Sequence, residues 1–244
     1  MLRELIDVYI MNLNFGEFLS DCLASLKVAG LNPILLDGHS SDNSLDVAKR
    51  FDVKALVFNE DMAKRVNFAI KNFNSEYLMF FASDCVLIQG FIERAREFLD
   101  EHQDYGVVYG YSIPVNKKGD RIGSFLHGGF FLKDRLHYAN FIDLSNALIR
   151  RKSLKGFKMP ANNLHPDWLM WLYISQQWKF RNLYRPSIFY KIHKRQGSKT
   201  KKAILINEAK DILEKYGKAR FPFLHKGILF SERNLNRLLS FFII

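Results

Sequence analysis

The sequence is poor in cysteine and has no long apolar run, and both absences limit what the chain can be. Its 244 residues include two cysteines, Cys22 and Cys85, which supply neither a disulfide framework nor the spacing of a metal-binding motif. No apolar stretch approaches the roughly 18 residues that a membrane-spanning helix needs. Acidic residues interrupt the start of the chain, so no secretory apolar segment is present there. We therefore expect a cytoplasmic protein.

Positive charge is in excess, and it is concentrated at one end. The formal net charge is +11. Residues 191–244 contain 13 Lys and Arg against 4 Asp and Glu. A basic C-terminal segment favours a polyanionic partner, such as anionic lipid, nucleic acid or a phosphorylated substrate. The alternative interpretation is a well-solvated surface of Lys-rich helices.

Strand and helix patterns alternate over the first 110 residues. Predicted strands cover 6–10, 33–36, 53–58, 76–82 and 106–112, and predicted helices cover 17–28, 45–51, 62–73 and 91–99. This alternation indicates βαβ units and a parallel sheet with helices on both faces. Further along, the pattern predicts a strand at 141–150, a helix at 167–177 and a strand at 187–192. The fold class is therefore α/β.

Two short acidic loops follow apolar strands. The second strand runs into Asp-Gly-His-Ser-Ser-Asp at residues 37–42, and the fourth runs into Ala82, Ser83 and Asp84. Ligands of open α/β sheets bind beyond the carboxyl ends of the strands. Aspartate after a strand is also a common helix cap, the interpretation that we favour for Asp42. For Asp37 and Asp84 we favour a binding role.

Six motifs occur in the order found in inverting family-two GT-A glycosyltransferases, and the chain resembles that family over about residues 5–198. The motifs are Leu13-Asn14 after the first strand, residues 37–42, Arg65 with Asn67 in a helix, residues 82–84, Arg150-Arg151 before Gly156-Phe157, and Pro166-Asp167 opening a helix. The family has Asp-x-Asp where this chain has Ala82, Ser83 and Asp84, and Glu-Asp where it has Pro166 and Asp167. Two family carboxylates are thus replaced.

The resemblance implies a GT-A (Rossmann-like), mostly parallel central sheet and a nucleotide-sugar donor, with a UDP-sugar favoured. It places Asn14, Arg65, Asn67, His193 and Arg195 in the donor site. Asp37 matches the carboxylate that accepts a hydrogen bond from the base, which suits uracil and leaves guanine and thymine open. Asp84 matches the residue that contacts Mn²⁺ or Mg²⁺. Such an ion would neutralise the leaving diphosphate.

The same resemblance implies a catalytic base and an acceptor site. Asp167 matches the residue that removes the proton from the acceptor hydroxyl, with a structural residue favoured by the helix dipole as the alternative. His193, Lys194 and Arg195 match a loop that closes over the pyrophosphate, with ordinary basic surface as the alternative. His127 lies at the position of the family's acceptor loop. The Trp168 ring could stack on the face of an acceptor sugar, with packing in the core as the alternative.

The chain is divided by these assignments into a catalytic domain at 1–198 and a basic, amphipathic helical extension at 199–244. The extension suits either a membrane interface or docking on the catalytic domain. An interfacial tail would make the enzyme peripheral at the inner face of a membrane. It would fit a glycan or glycolipid acceptor in lipopolysaccharide or surface-polysaccharide synthesis. An exposed apolar tail also allows two chains to pair as a homodimer.

The resemblance thus implies a metal-dependent, Leloir-type glycosyltransferase that is similar to hexosyltransferases. Three other functions are alternatives to it. A nucleotidyltransferase would open with a Gly-rich loop containing Arg and Lys, whereas this chain has Asn-Leu-Asn-Phe-Gly at residues 12–16. A basic protein that binds nucleic acid leaves the acidic loops without a role, so we expect no nucleic-acid partner. A catalytically degenerate GT-A-like binding protein stays open, because Ala82 and Pro166 replace family carboxylates.

Overall fold

Eight strands form a single sheet in the part of the chain that the computed structural model describes, namely residues 5–59, 61–124, 136–137, 140–161, 163, 165–195, 211–212 and 214–215. The strands are β1 (Ile6–Asn12), β2 (Pro33–Asp37), β3 (Ala55–Val57), β4 (Tyr77–Ala82), β5 (Cys85–Leu87), β6 (Tyr105–Val115), β7 (Ala147–Arg150) and β8 (Lys179–Lys191). The helices are α1 (Gly16–Val28), α2 (Ser44–Arg50), α3 (Met62–Asn72), α4 (Phe91–Glu101) and α5 (Pro166–Ile174).

The sheet has a parallel half and a mixed half, in the order β3-β2-β1-β4-β7-β6-β8-β5. Strands β3, β2, β1 and β4 are all parallel. Strand β7 is antiparallel to both β4 and β6, β6 is parallel to β8, and β5 is antiparallel to β8. The predicted α/β fold with a mostly parallel sheet is therefore confirmed.

Helices cover both faces of the sheet because the buried strand residues alternate in direction. Ile6, Val8 and Ile10 of β1 pack in one apolar cluster with α1, α2 and α4. Tyr9 and Met11 of the same strand pack in the other cluster with α3 and α5. Both faces of the parallel half are thus buried, which explains why these strands are almost continuously apolar.

Several predicted boundaries are wrong in the second half of the chain. Strand β8 begins at Lys179, eight residues before its predicted start, and residues 141–146 are not a strand. Asp143 Oδ1 accepts the Ser145 N–H at 2.8 Å, which closes a 3₁₀ turn at Leu144–Asn146 and delays β7. The three-residue β5 was missed because it is too short to show a period.

The starts of α1 and α2 are held together by Asp42. Its Oδ2 accepts the Gly16 N–H at 2.9 Å, and its Oδ1 accepts the Ser44 N–H at 3.0 Å. A Cβ on Gly16 would lie 2.1 Å from Asn43 Oδ1, so only glycine allows this close approach. Burial opposes ionisation of Asp42, but the Ser44 and Gly16 hydrogen bonds outweigh it and lower its pKa. The interpretation of Asp42 as a structural cap agrees with this geometry.

The predicted extension at 199–244 lies almost entirely outside the described residues. Ile212 is described, and it is 5% exposed within the apolar cluster that contains α3 and α5. At this residue the chain therefore packs against the main core. Across the described segments, none of the helices combines the length and apolarity required to cross a bilayer.

Candidate active site

The carboxyl ends of β1, β2 and β4 meet at one edge of the sheet. Asn12, the last residue of β1, is the register partner of Asp37, the last residue of β2. On the other side of β1, Met11 is the partner of Ala82 at the end of β4. The two acidic loops that follow β2 and β4 therefore flank the loop that follows β1.

Asp37 holds its own loop closed. Its Oδ1 accepts the Ser40 N–H at 2.6 Å, and its Oδ2 accepts Asn12 Nδ2 and the Ser40 hydroxyl, both at 2.7 Å. The residue is 0% exposed. The geometry thus differs from the predicted contact with a nucleotide base, since the carboxylate is fully buried and already bonded by the protein. Asn12 was missed by sequence reasoning, although a polar residue ending an apolar strand was a usable signal.

Asn14 joins the loop after β1 to this acidic loop. Its N–H donates to Ser40 Oγ at 2.8 Å, and its Oδ1 accepts the Ser41 N–H at 2.7 Å. Asn14 has φ 59° and His39 has φ 67°, a left-handed backbone that costs non-glycine residues roughly 1 kcal/mol or more. Partly exposed, Asn14 lies at the mouth of the site.

Arg65 reaches the site from α3, whereas Asn67 does not. The Arg65 Nη1 donates to the carbonyl oxygens of Asn12 at 2.9 Å and Leu36 at 3.1 Å, beneath the strand ends. Burial lowers the pKa of Arg65, and the Asp37 charge opposes that effect. Asn67 instead exchanges two 2.8 Å hydrogen bonds with the backbone of Met159. We therefore omit Asn67 from the donor site.

Asp84 and His193 form a buried pair, although 109 residues separate them. His193 Nε2 lies 3.1 Å from Asp84 Oδ2, and the side chains are 1% and 8% exposed. The imidazole packs against the rings of Phe15 and Phe18, at centroid distances of 4.9 and 4.6 Å. The structure thus brings together two residues that the sequence assigned to the diphosphate.

Arg195 and Lys191 fasten the segment around His193 to the start of α1. Arg195 forms an ion pair with Glu17, and its Nη1 donates to the Asn14 carbonyl at 3.3 Å. Lys191 forms an ion pair with Asp21 on the same helix. Because the Arg195 side chain is 54% exposed, it remains accessible to a ligand at the mouth of the site.

Asp167 lies in the first turn of α5 with both oxygens bonded. Its Oδ2 accepts Asn140 Nδ2 at 2.8 Å, and its Oδ1 accepts the Trp168 N–H at 2.9 Å. Burial, followed by the neighbouring Asp143 charge, raises the pKa of Asp167, while these two hydrogen bonds and His165 act against the rise. A partly buried carboxylate with a raised pKa suits a general base.

Trp168 was predicted to contact an acceptor sugar, whereas the structure buries its side chain. The side chain is 4% exposed, and its Nε1 donates to the Leu136 carbonyl at 2.6 Å. Trp171 is likewise buried and donates to the Ile142 carbonyl at 2.9 Å. Both indoles are core residues that hold α5 in place. His127, the other predicted acceptor residue, lies outside the described residues.

Tyr190 lies within electrostatic reach of three carboxylates. Burial raises its pKa, and the charges of Asp143, Asp84 and Asp167 add to the effect. Asp143 accepts a hydrogen bond from the Ser145 N–H. The Ser145 hydroxyl in turn accepts the Ala82 N–H at 3.0 Å, and this contact holds Asp143 near the end of β4. Sequence reasoning missed Asn140 and Asp143, because the segment before β7 has no periodic pattern. It also missed Tyr190, which lies within the predicted strand at 187–192.

A divalent ion fits this site only if its other ligands come from a bound molecule. Ala82 has no ligand atom, and Asp84 Oδ2 already contacts His193, while Asp84 Oδ1 has a weak 3.9 Å contact with the Cys85 thiol. Among the residues that can be described, no three His, Cys, Asp or Glu side chains are grouped to hold a metal. Asp84 with phosphate oxygens is a ligand set that Mg²⁺ and Mn²⁺ accept.

Comparison with known proteins gives one family and several similar structures. The family model described as glycosyl transferase family 2 matches residues 7–157. A protein named PGL/p-HBAD biosynthesis glycosyltransferase, from Mycobacterium bovis (strain BCG / Pasteur 1173P2), is 28% identical over 173 residues, which cover 66% of this chain and 65% of that protein. A protein of the same name from Mycobacterium tuberculosis matches equally. This chain therefore spans just under two thirds of the length of these curated relatives.

Two solved structures share the fold. TarS of S. aureus, in complex with UDP-GlcNAc, has a TM-score of 0.65 and 17% identity, covering 90% of this chain and 73% of that chain. The mannosyltransferase PcManGT from Pyrobaculum calidifontis, in complex with GDP-Man and Mn²⁺, has a TM-score of 0.63 and 13% identity, covering 96% of this chain and 72% of that chain. At such identities the likeness establishes the fold alone.

Proposed function

Because this chain belongs to glycosyl transferase family 2, we propose that it transfers a sugar from a nucleotide-diphosphate sugar to an acceptor hydroxyl, with inversion at the anomeric carbon. The acceptor oxygen bonds to that carbon while the bond from the carbon to the diphosphate oxygen breaks. The acceptor proton passes to a carboxylate of the protein, and the nucleoside diphosphate leaves with the bonding electrons.

The observation that carries this proposal is the gathering of polar groups where β1, β2 and β4 end at one edge of the sheet. Asp84, in the loop after β4, lies against His193 Nε2 at 3.1 Å, although 109 residues separate the two in sequence. Arg195 donates to the carbonyl of Asn14 in the loop after β1. Ligands of open α/β sheets bind at such an edge, and a carboxylate, an imidazole and a guanidinium placed there suit a diphosphate and its metal ion.

Asp167 is the proposed general base. Its raised pKa makes the ionised carboxylate a stronger proton acceptor than an ordinary aspartate. Asn140 and the Trp168 N–H orient the two oxygens, so Asn140 is a positioning residue. The replacement of the family Glu by Pro166 removes a neighbouring carboxylate but keeps the base at the start of α5, where proline fits the first helical position.

His193 and Arg195 are the proposed diphosphate contacts. The buried His193 fixes the Asp84 carboxylate, and the exposed Arg195 guanidinium lies beside Asn14 at the site's mouth. A cation placed there stabilises the charge that develops on the leaving group. A bound Mn²⁺ or Mg²⁺, held by Asp84 and the donor phosphates, would supply further charge neutralisation.

The base pocket of the donor is proposed at the ends of β1 and β2, formed by the loops that Asn12, Asn14 and Arg65 support. We favour a UDP-sugar, supported by the UDP-GlcNAc complex of TarS. The GDP-Man complex of PcManGT supports a GDP-sugar as the alternative donor. Asp37 then acts by holding the loop shut rather than by reading the base.

We propose that the acceptor is a glycan or a glycolipid. Lipid-linked saccharides are the first acceptors to test for sugar transfer. The mycobacterial relatives are named PGL/p-HBAD biosynthesis glycosyltransferase, which supports a role in the biosynthesis of a glycosylated product. A basic tail at the inner face of a membrane would bring the site to such a substrate. Synthesis of lipopolysaccharide or another surface polysaccharide is the proposed setting.

Donor turnover tests the proposal directly. We would incubate the protein with UDP- and GDP-sugars, with Mn²⁺ or EDTA, and follow release of the nucleoside diphosphate. We expect one donor class to turn over, and Asp167→Asn to lose about 10²–10⁴-fold in rate. Asp46→Asn, which changes an exposed carboxylate on α2, is the matched control and should leave the rate unchanged.

The pH dependence gives the same experiment a second readout. Because the base must be ionised and its pKa is raised, the rate should increase with pH through a range above that of an ordinary aspartate. Equal rates for wild type and Asp167→Asn would refute the assignment. Donor binding with no turnover at any pH would instead favour the rival function, a degenerate GT-A-like binding protein. The replacement of two family carboxylates by Ala82 and Pro166 is consistent with that function.

A further inference from the structure

A second pocket lies on the far edge of the sheet, where α4 begins beside β8. It has a volume of about 160 Å³, apolar walls from Ile88, Phe91, Leu183 and Pro186, and the guanidinium-bearing side chains Arg94 and Arg185 in its lining. Arg185 precedes His193 by eight residues, a length of chain that spans at most about 26 Å at 3.3 Å per residue. The residues that line the pocket include none of those assigned to the donor site.

The two arginines of this pocket have no acidic partner in the described part of the chain. Arg94 uses its Nε to donate to the Gly90 carbonyl at 3.1 Å, and no ion pair involves Arg94 or Arg185 among the described residues. By contrast, Arg96 on the same helix forms an ion pair with Asp100. Both side chains are exposed, so water solvates them in the free protein, and an anion bound at the pocket can pair with two guanidinium groups at once.

A local distortion of β8 creates the pocket. Tyr109 pairs with Asn182 and Tyr111 pairs with Pro186, so three residues, 183–185, bulge out opposite one residue of β6. Tyr184 within the bulge has φ 54°, a left-handed backbone conformation that is unfavourable for a residue with a side chain. Asn182 Oδ1 accepts the Tyr184 N–H at 2.7 Å and so holds the bulge in place. Leu183 and Arg185 thereby enter the pocket lining.

The neighbouring strand and helix are shaped to accept this bulge. A Cβ on Gly110 of β6 would lie 2.6 Å from the Arg185 carbonyl oxygen and 3.1 Å from the Phe91 ring, so glycine is required there. Helix α4 starts at Phe91 after Gly90, and no side chain caps its first turn. The uncapped N–H groups add partial positive charge near the two arginines.

We propose that this pocket binds a phosphate ester, with the phosphate between Arg94 and Arg185 and the organic part against the apolar walls. A planar guanidinium pairs with phosphate through two parallel hydrogen bonds. The volume of about 160 Å³ suits a phosphate with a few carbon atoms. The site is separate from the donor diphosphate, so the proposal stands independently of the transfer reaction.

Calorimetric titration of the full chain with sn-glycerol 3-phosphate tests the proposal. Arg94→Gln and Arg185→Gln should each weaken binding by about tenfold or more. Arg96→Gln removes one positive charge from the same helix outside the pocket and should bind as the wild type does. All four proteins should have the same circular dichroism, and the Arg94 and Arg185 variants should keep the melting temperature of the wild type because both side chains are exposed. A change of melting temperature is expected only for Arg96→Gln, which loses the ion pair with Asp100.

Two further ligands identify the source of the phosphate. Phosphatidylglycerol vesicles, compared with phosphatidylcholine vesicles, report a lipid headgroup, whereas inorganic phosphate reports a free anion. Binding of any phosphate ligand that is lost in Arg94→Gln and Arg185→Gln, but kept in Arg96→Gln, supports the pocket. The proposal is overturned if the wild type binds none of them, or if the three variants are indistinguishable.

Discussion

At the scale of single residues, Asn140 determines how the proposed base presents its charge. The Ile142 N–H donates to Asn140 Oδ1 at 3.3 Å, which turns the Nδ2 group towards Asp167 Oδ2 at 2.8 Å. The amide orientation is thus fixed by the backbone and does not depend on the ligand. A hydrogen bond to a carboxylate favours its ionised form, so Asn140 opposes the effects of burial and of Asp143.

Replacing Asn140 should therefore change the pH profile and not only the rate. In Asn140→Ala the pKa of Asp167 rises further, because a bond that favoured ionisation is lost while burial and the Asp143 charge remain. We expect the acidic limb of the activity profile to move to higher pH, with about a tenfold loss of rate near neutrality. Steady-state rates between pH 5 and 9 measure both.

The comparison with Asn72→Ala guards against a general effect on folding. Asn72 is an exposed amide at the end of α3 that donates to the Phe68 carbonyl. Its profile should overlay that of the wild type. If Asn140→Ala loses rate equally at every pH, Asn140 supports the fold near α5 but does not orient the base.

At the scale of elements, Asp42 links the starts of α1 and α2, and its contribution to stability should depend on pH. Its folded pKa is lowered, so the stabilisation is present above the unfolded pKa and is lost as pH falls through the folded pKa. Asp42→Asn should cost about 1 kcal/mol of the free energy of unfolding at pH 7. Below the folded pKa the variant and the wild type should become equal.

Urea unfolding at pH 7 and at acidic pH measures this difference, with Asp46→Asn as the control. Asp46 is an exposed carboxylate in the first turn of the same helix, where the helix dipole gives it only a few tenths of a kcal/mol. A loss of stability in Asp42→Asn that stays constant with pH would show that shape, and not charge, holds the two helices together.

The elements also show why sequence reasoning worked in the first half of the chain and failed in the second. Strands β1 to β4 are buried on both faces and joined by helices, so their apolar runs and polar ends are visible in sequence. Strand β8 has a bulge at residues 183–185, and the chain before β7 turns at Asp143. Such irregular segments have no period, and they contain Asn140 and Asp143.

The same physical reason explains which site residues were found. Asp84 and Asp167 were predictable because each stands at the boundary of a regular element. The burial of Asp37 and Trp168 was not, because loop closure and core packing depend on contacts between distant parts of the chain. Asn67 was misplaced since a helix position two residues from Arg65 points elsewhere.

At the scale of the whole molecule, the charge is unevenly divided between the two predicted parts of the chain. Of the 36 Lys and Arg residues, 10 lie in residues 199–244, and the carboxylates of the proposed active site lie in the other part. An acidic site and a basic tail suit an enzyme whose donor is steered by cations and whose acceptor lies at an anionic surface. Docking of Ile212 on the main core limits how much of the tail is available for such a surface.

The full chain should therefore bind anionic vesicles through its last residues. We would change Lys226, Arg233 and Arg237 to Gln together, and compare this protein with a Lys27, Lys49 and Lys54 to Gln triple variant of equal net charge. At about 1 kcal/mol for each cation near the surface, the tail variant should bind vesicles containing phosphatidylserine on the order of 100-fold more weakly. Cosedimentation at 50 and 300 mM salt measures this, and binding should weaken with salt. If both triple variants bind the vesicles equally, net charge alone attracts the protein to the membrane. The tail then does not direct the active site to its acceptor.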